Sequence, residues 1–145
     1  SMVYLGKEGY LKAAKAIMDV ADRIKLGIKE ISELTLIGNP TFVISFHSDD
    51  VDVFHVNDFM KRRGWRFNCL QLPPGMHFCV TMPQTFVPDI AGRLIADLKE
   101  GVVYAKAKAG TVAETTALYG LAGSVEGNQQ LTELIYGVFD YLYAV

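Results

Sequence analysis

The chain has 145 residues, of which 50% are hydrophobic, and carries a formal net charge of −2 at pH 7. This length and apolar content predict one folded domain and exclude a disordered chain, because there is enough apolar surface to form a core. The isoelectric point near 5.9 argues against a dominant nucleic-acid-binding role, since such domains usually carry a basic surface. We therefore expect a single domain without a nucleic-acid partner.

Targeting and membrane signals are absent from the printed sequence. No segment approaches the roughly 20 apolar residues that a membrane span requires, and no signal peptide opens the chain. We interpret Ser1-Met2 as a cloning remnant and residues 3–145 as the domain. A helical pattern starts almost at once, which indicates a piece of a longer polypeptide.

The first half of the chain shows helix and strand patterns in turn. Apolar residues at three- and four-residue spacing predict a helix over residues 7–29. Strands are expected over residues 34–37 and 41–47, and the intervening Gly-Asn-Pro turn predicts a hairpin. A helix over residues 52–63 should follow, with acidic capping residues before it and basic residues in its last turn.

Residues 65–82 have the most unusual composition, with the only Trp, both Cys and a Pro-Pro-Gly sequence. Side chains alternate with the two-residue period of strands on both sides of Pro-Pro-Gly. Since Pro lacks a backbone donor and Gly75 tolerates positive φ, we expect a turn or irregular loop between two antiparallel strands. Cys69 and Cys79 fit no metal or redox spacing and are interpreted as reduced core thiols of an intracellular protein.

The remaining elements are predicted to be helical. Thr85 is expected to cap a long helix that has Pro88 and Asp89 in its first turn. A loop rich in small residues follows over residues 109–127, and a last helix should begin near Asn128. Its expected inward residues are Leu131, Leu134, Ile135, Val138 and Leu142. The element order favours an α+β fold with one mostly antiparallel sheet and helices on one face.

The candidate chemical groups form no complete catalytic site in the sequence. The three histidines are not spaced as metal ligands, so no metal is expected. His55 should be solvated on a helix flank, whereas His77 is either a core histidine with one hydrogen bond or a site residue. The basic residues Lys61, Arg62, Arg63 and Arg66 are interpreted as a solvated helix end rather than a phosphate site.

Residues 71–81 have the sequence Gln-Leu-Pro-Pro-Gly-Met-His-Phe-Cys-Val-Thr. This segment closely resembles one in sphingosine-1-phosphate lyases, which are pyridoxal-phosphate enzymes related to the group II decarboxylases. Three further features occur in the order found in the C-terminal part of that family. They are the Gly-Asn-Pro turn, the helix ending in Gly64-Trp65 and the Ala-Leu-Tyr-Gly-Leu-Ala sequence at 117–122. The resemblance implies the small C-terminal domain of a fold-type I pyridoxal-phosphate enzyme.

The resemblance also implies an activity and a set of partners. Family enzymes cleave long-chain-base phosphates into a fatty aldehyde and phosphoethanolamine, with pyridoxal phosphate as electron sink. The implied partners are the large cofactor-binding domain of the same chain, a second subunit in a homodimer and a phosphorylated sphingoid base. The implied location is the endoplasmic reticulum membrane with a cytosolic catalytic part in eukaryotes, or the cytoplasm in bacteria.

One departure from the family pattern concerns the cofactor. The family's Schiff-base lysine lies in an Asn-His-Lys segment, and the sequence contains no His-Lys pair. We therefore expect no catalytic residue in this chain, no bound cofactor and no activity of the chain alone. The implied substrate-pocket residues are His77, Pro74 and Tyr119. Related decarboxylases carry an Arg at position 77 that holds a substrate carboxylate, which the lyase substrate lacks.

Two alternatives remain open on the sequence. The chain could be the small domain of a pyridoxal-phosphate-dependent amino-acid decarboxylase, which an Arg at position 77 would have favoured. It could also be an independent α/β binding module, for example for RNA. That module would need exposed aromatic residues and a basic sheet face, whereas Phe42, Phe46 and Phe67 are expected in the core.

Overall fold

A computed structural model of the chain describes residues 2–116 and 125–143. The elements within these residues are α1 (Met2–Lys29), β1 (Thr35–Leu36), β2 (Val43–His47), α2 (Val53–Arg62), β3 (Asn68–Gln71), β4 (Pro74–Cys79), α3 (Met82–Thr85), α4 (Ile90–Ala107) and α5 (Val125–Tyr143). Gly6 has non-helical angles inside α1 (φ 59°, ψ −178°), so regular helix runs from the predicted start at Lys7.

The four strands form one antiparallel sheet in the order β1-β2-β4-β3. Both predicted hairpins are present, because β1 pairs with β2 and β3 pairs with β4. The register places Ser45, His77 and Asn68 side by side across three strands. The central strands are therefore β2 and β4, and β3 is an edge strand.

The apolar core lies between one face of the sheet and helices α1, α2 and α4. Its fully buried members include Ile24, Ile28, Ile44, Phe46, Val56, Met60, Met76, Val80, Leu94 and Leu98. Phe67 packs against Phe46 and Phe78, with ring centroids 5.9 and 5.4 Å apart. This arrangement confirms the predicted α+β fold with helices on one face. Phe42, expected in the core, is 46% exposed because it precedes β2.

Helix α2 has the ends that its sequence predicts. The Asp52 carboxylate accepts a hydrogen bond from the Phe54 backbone N–H at 2.8 Å, and this bond satisfies a free donor of the first turn. Gly64 follows the helix with φ 87°, in the left-handed region that favours glycine. The predicted bounds, 52 and 63, are the two capping residues of the observed helix.

The role expected for Gly75 is wrong. Gly75 lies within β4 rather than in a turn, and Gln71 pairs directly with Pro74, so the connection is Leu72-Pro73 alone, with a cis peptide bond. A Cβ atom on Gly75 would lie 2.9 Å from the Phe46 carbonyl oxygen. Glycine is thus required by the close approach of β2, which a sequence pattern does not reveal.

The predicted long helix after the sheet begins later than expected, and a short helix that was not predicted precedes it. Thr81 and Gln84 form a capping box at the start of α3, and Thr85 ends that helix rather than capping the next one. Helix α4 begins at Ile90 after Asp89, which has φ 45°. Pro88 disfavours helix at the preceding residue, and this is the physical reason why α4 begins only after Pro88.

The last helix, α5, exists as predicted but differs in start and burial. It begins at Val125 rather than near Asn128. The side chains of Leu134, Ile135, Val138 and Leu142 are exposed, not inward, and that of Leu131 lies outside the described residues. A helical period shows which residues share a stripe, but not whether another element covers that stripe.

Candidate functional site

Within the described residues, no element covers the sheet face opposite the helices, which carries several polar side chains; we call it the open face. Its residues are Val43, Ser45, His47, Asn68, Leu70, Gly75, His77 and Cys79. All of these except Gly75 are half-buried or exposed, whereas their neighbours on the other face pack into the core. The two-residue period of β4 produces this division, because His77 lies between the buried Met76 and Phe78.

His77 lies in the middle of the open face and outside the apolar core. Its Nε2 is 3.2 Å from the Asn68 side-chain nitrogen. Since an amide nitrogen can only donate, Nε2 accepts this bond and Nδ1 carries the proton of the neutral ring. The ring is therefore oriented by β3 and retains Nδ1–H as a donor.

The other two expected pocket residues differ in what the structure describes. Pro74 is exposed at the start of β4, next to the open face. Tyr119 lies outside the described residues. Residue 74 is three positions from His77 on the same strand, and because strand side chains alternate, Pro74 belongs to the face opposite His77.

A second histidine, His47, lies on the open face although it is distant in sequence. It pairs with Gly75 on β4 and is diagonal to His77, and its Nδ1 is 3.5 Å from the Asp49 carboxylate. Among the described residues, no group of three His, Cys, Asp or Glu side chains could hold a metal ion. His47 and His77 thus add hydrogen-bonding capacity to the open face.

The two cysteines lie on opposite faces of the sheet, and both are free thiols. Cys69 packs against the core, and burial raises its pKa to about 11. Cys79 is opposite Val43 on the open face, so its predicted core location is wrong. The error arises because a position inside a strand does not determine which face of the sheet is buried.

The basic residues near the end of α2 are largely paired with acidic residues. Arg62 contacts Glu114 at 3.1 Å, and Arg63 contacts Asp97 at 3.2 Å as well as Glu100. Lys61 and Arg66 are exposed beside a groove of about 440 Å³ that Trp65 and Asn68 also line. The ion pairs support the interpretation of this cluster as a helix end.

The RNA-binding alternative is not supported by the open face. The four strands contain no lysine or arginine, whereas single-stranded nucleic acid binding requires a positively charged groove. Phe46 and Phe67, which a stacking platform would have to expose, are buried. The open face therefore lacks both features of such a module.

Sequence reasoning missed a buried polar cluster formed by His55, Asn57 and Asp58 of α2 with Thr111 and Thr115. His55 is only 4% exposed, so its predicted solvation is wrong; its Nε2 donates to the Thr111 carbonyl at 3.0 Å. Asn57 and Asp58 are 1% and 3% exposed. The sequence contained a signal for the burial of Asn57. This residue lies four positions after Val53 and three before Met60, so it shares the apolar stripe of α2.

The four strands offer no residue for the covalent link of a pyridoxal-phosphate site. Such a site needs a lysine that can form an aldimine with the cofactor, and the strands of the open face contain none. The lysines Lys15, Lys25, Lys99 and Lys106 lie on helices and form ion pairs with acidic residues. The open face therefore lacks a side chain for this covalent link.

The antiparallel sheet, its helical layer and its polar open face define the chain as a small α+β domain. No protein-family model matches it. It is 37% identical to the sphingosine-1-phosphate lyase of Arabidopsis thaliana over 145 residues, 99% of this chain and 26% of that protein. The Saccharomyces cerevisiae lyase is 34% identical over 149 residues, 99% of this chain and 25% of that protein.

A solved structure of a sphingosine-1-phosphate lyase from Burkholderia pseudomallei has the same fold, with a TM-score of 0.73 and 38% sequence identity over 97% of this chain and 27% of that one. The chain belongs to the sphingosine-1-phosphate lyase family. It spans about a quarter of the length of the curated relatives it matches, and so corresponds to one domain-sized region of them. Among the described helices, none has both the length and the hydropathy to span a membrane.

Proposed function

We propose that the chain is the C-terminal small domain of a lyase that cleaves long-chain-base phosphates into a fatty aldehyde and phosphoethanolamine. The observation that carries this proposal is 37% identity to such a lyase over 99% of the chain. Residues 3–145 form the domain, and Ser1-Met2 is extraneous. Pyridoxal phosphate, bound by the rest of the polypeptide, acts as electron sink for the bond cleavage.

The contribution of this domain is a wall of the substrate pocket formed by His77, Pro74 and Tyr119. Asn68 orients the His77 ring so that Nδ1–H remains available as a donor. A donor at this position suits the phosphate ester of the substrate, whose oxygens are strong acceptors. The resemblance implies an arginine here in the related decarboxylases, where it holds a carboxylate, so the histidine supports a lyase over an amino-acid decarboxylase.

The remaining proposals concern partners and location. The large domain of the same polypeptide supplies the aldimine lysine, so this chain alone is inactive, and the whole enzyme is a homodimer. The location is the endoplasmic reticulum membrane with a cytosolic catalytic part in a eukaryote, or the cytoplasm in a bacterium. Exposed apolar side chains such as Phe42 and Val43 support a docked partner beside the open face.

The test is turnover of sphinganine 1-phosphate by the natural full-length polypeptide, with detection of the fatty aldehyde. We expect turnover by the wild type and a fall in kcat/KM of about tenfold or more for His77→Ala, because an oriented donor to the phosphate is lost. Ser32→Ala is the control, since it removes a polar group that is exposed in the turn after α1 and is not part of the open face, and kcat/KM should stay within about twofold of wild type. Absence of aldehyde from the cofactor-loaded wild type contradicts the proposal.

A further inference from the structure

We infer that a groove beside the edge strand β3 binds a phosphate monoester group, with Lys61 and Arg66 as its cationic ligands. The groove has a volume of about 440 Å³ and is also lined by Gly64, Trp65, Phe67 and Asn68. The proposed function assigns no ligand to this groove, so binding there can be tested without lyase activity.

Charge distinguishes this groove from other concave regions of the surface. Its lining includes two cationic side chains and no carboxylate. Three other grooves are each lined by at least one acidic residue, namely Asp22, Glu30 and Glu100. An anion that enters the groove beside β3 is therefore attracted by both cations without a negative charge in the lining to oppose it.

Lys61 and Arg66 differ from the two basic residues between them. Arg62 and Arg63 are held in ion pairs with acidic residues. Lys61 and Arg66 are exposed and form no ion pair within the part of the chain that the structure describes. A guanidinium binds phosphate oxygens through two parallel hydrogen bonds, and an ammonium adds a compact positive charge. Both cations of the groove are thus available to a ligand.

The end of α2 does not repel an anion as an uncapped helix end would. The negative pole of a helix lies on its unpaired carbonyl groups. Here the Met60 carbonyl accepts from the Trp65 backbone N–H, and the Lys61 carbonyl accepts from that of Gly64, both at 3.0 Å. The turn at Gly64, where φ is 87°, places Trp65 and Arg66 in the same groove as Lys61.

Asn68 gives the groove a neutral donor and joins it to the open face. Its amide nitrogen donates one hydrogen to His77 Nε2, at 3.2 Å. An amide nitrogen carries two hydrogens, so the second can bond to a phosphate oxygen in the groove. A phosphate monoester has three strong acceptor oxygens and carries close to two negative charges near neutral pH. These oxygens match the two charged donors and the one neutral donor of the groove.

The experiment is a titration of the 145-residue chain with inorganic phosphate, followed by the fluorescence of Trp65, which is the only tryptophan and lines the groove. We expect a saturable change near neutral pH and at low salt, with half-saturation at millimolar concentration, because exposed cations bind weakly and are screened by salt. The amide NMR signals of Gly64 and Asn68 should shift over the same concentrations. Sodium chloride at equal ionic strength should produce neither effect.

Lys61→Gln combined with Arg66→Gln should raise the half-saturation concentration at least about tenfold, because both charge-assisted bonds are lost. Arg66→Lys should have an intermediate effect, since it retains the charge but loses the paired hydrogen bonds. Lys7→Gln combined with Lys12→Gln is the matched control, because it removes the same charge from exposed positions of α1. The control should change the half-saturation concentration by less than about twofold.

Two further probes distinguish the source of the phosphate group. Phosphoethanolamine presents a free phosphate monoester, whereas phosphatidylcholine vesicles that contain phosphatidic acid present the same group on a lipid surface. Binding of either probe that is lost in the double variant of Lys61 and Arg66 supports the site and identifies the source. The site is wrong if wild type responds to none of the three probes, in fluorescence or in NMR, or if wild type and the double variant have equal half-saturation concentrations.

Discussion

His77 and Cys79 show how the pleat of one strand assigns roles to individual residues. Both alternate with the buried Met76, Phe78 and Val80, and so both belong to the open face. The same alternation directs Cys69 of β3 to the core, because Cys69 pairs with Met76. Two cysteines only ten positions apart are thereby placed in opposite environments.

The cysteines provide a prediction at the residue scale. With a pKa of about 11, only about a thousandth of Cys69 is thiolate at about pH 8, and the thiolate is the reactive form. We expect iodoacetamide to modify Cys79 well before Cys69 in the isolated chain, and the rate at Cys69 to rise with pH up to about 11. Peptide mass spectrometry measures both rates, with Cys79→Ser as the control. Equal rates at the two positions would show that the face assignment is wrong.

The pairing of elements depends on contacts that single residues make or prevent. Gly75 allows β4 to approach the Phe46 carbonyl of β2. The ion pair between Glu33 and Lys106 joins the turn after α1 to the end of α4. These two contacts join elements that are separate in sequence, so each can be tested by one substitution.

Gly75→Ala should destabilise the sheet. The added Cβ would lie 2.9 Å from a backbone oxygen that cannot rotate away, so β2 and β4 must separate. We expect a loss of about 1–3 kcal/mol in the free energy of unfolding, measured by urea denaturation. Gly137→Ala is the matched control, because a Cβ there meets no atom within 4 Å and a helix interior favours alanine. A neutral Gly75→Ala would contradict the proposed close approach.

The Glu33 ion pair should contribute to stability only above acidic pH. Hydrogen bonding from Lys106 lowers the pKa of Glu33 from 4.5 to about 2. A carboxyl group whose pKa is lower in the folded state stabilises the fold above its unfolded pKa, and this contribution is lost as pH falls toward the folded pKa. The melting temperature of Glu33→Gln should therefore lie below wild type near neutral pH, by a few degrees or less because the pair is exposed. The difference should vanish near pH 2; a constant offset would exclude the linkage.

At the scale of the whole molecule, two surfaces lack partners within the described residues. The open face of the sheet is one, and the apolar side chains of α5 are the other, with Leu134, Tyr136 and Phe139 each more than half exposed. A helix with apolar residues around much of its surface is normally buried. The chain covers about a quarter of its relatives, and both surfaces are suited to contact the remainder of such a protein.

The reactivity of Cys79 on the open face can test whether another domain docks there. In the natural full-length polypeptide we expect iodoacetamide modification of Cys79 to be slower than in the isolated chain by about tenfold or more, because a docked domain excludes the reagent. Ser32→Cys serves as the control, since Ser32 is exposed in the turn after α1, away from the open face. Equal modification rates of Cys79 in the two proteins would mean that no domain docks there.

The sequence by itself determined the elements whose signals are local. The two hairpins, the ends of α2 and the alternation around Pro-Pro-Gly depend on propensities and periods within a few residues, and all were predicted. Resemblance in residues 71–81 likewise indicated the family, because that segment is distinctive without any knowledge of its contacts. Among the candidate site residues, the position of His77 on a strand followed from the same local period.

Tertiary structure alone decided which side chains are buried and which residues meet. Asp58 and Thr115 are 57 positions apart, and no local period relates them. His55, Gly75 and Cys79 were misassigned because burial depends on which element covers a face, and that information lies in distant parts of the chain. Backbone hydrogen-bonding preferences act between residues that are close in sequence, so the helices and strands could be predicted. Packing acts between surfaces formed by distant parts of the chain, so the open face and the buried polar cluster could not.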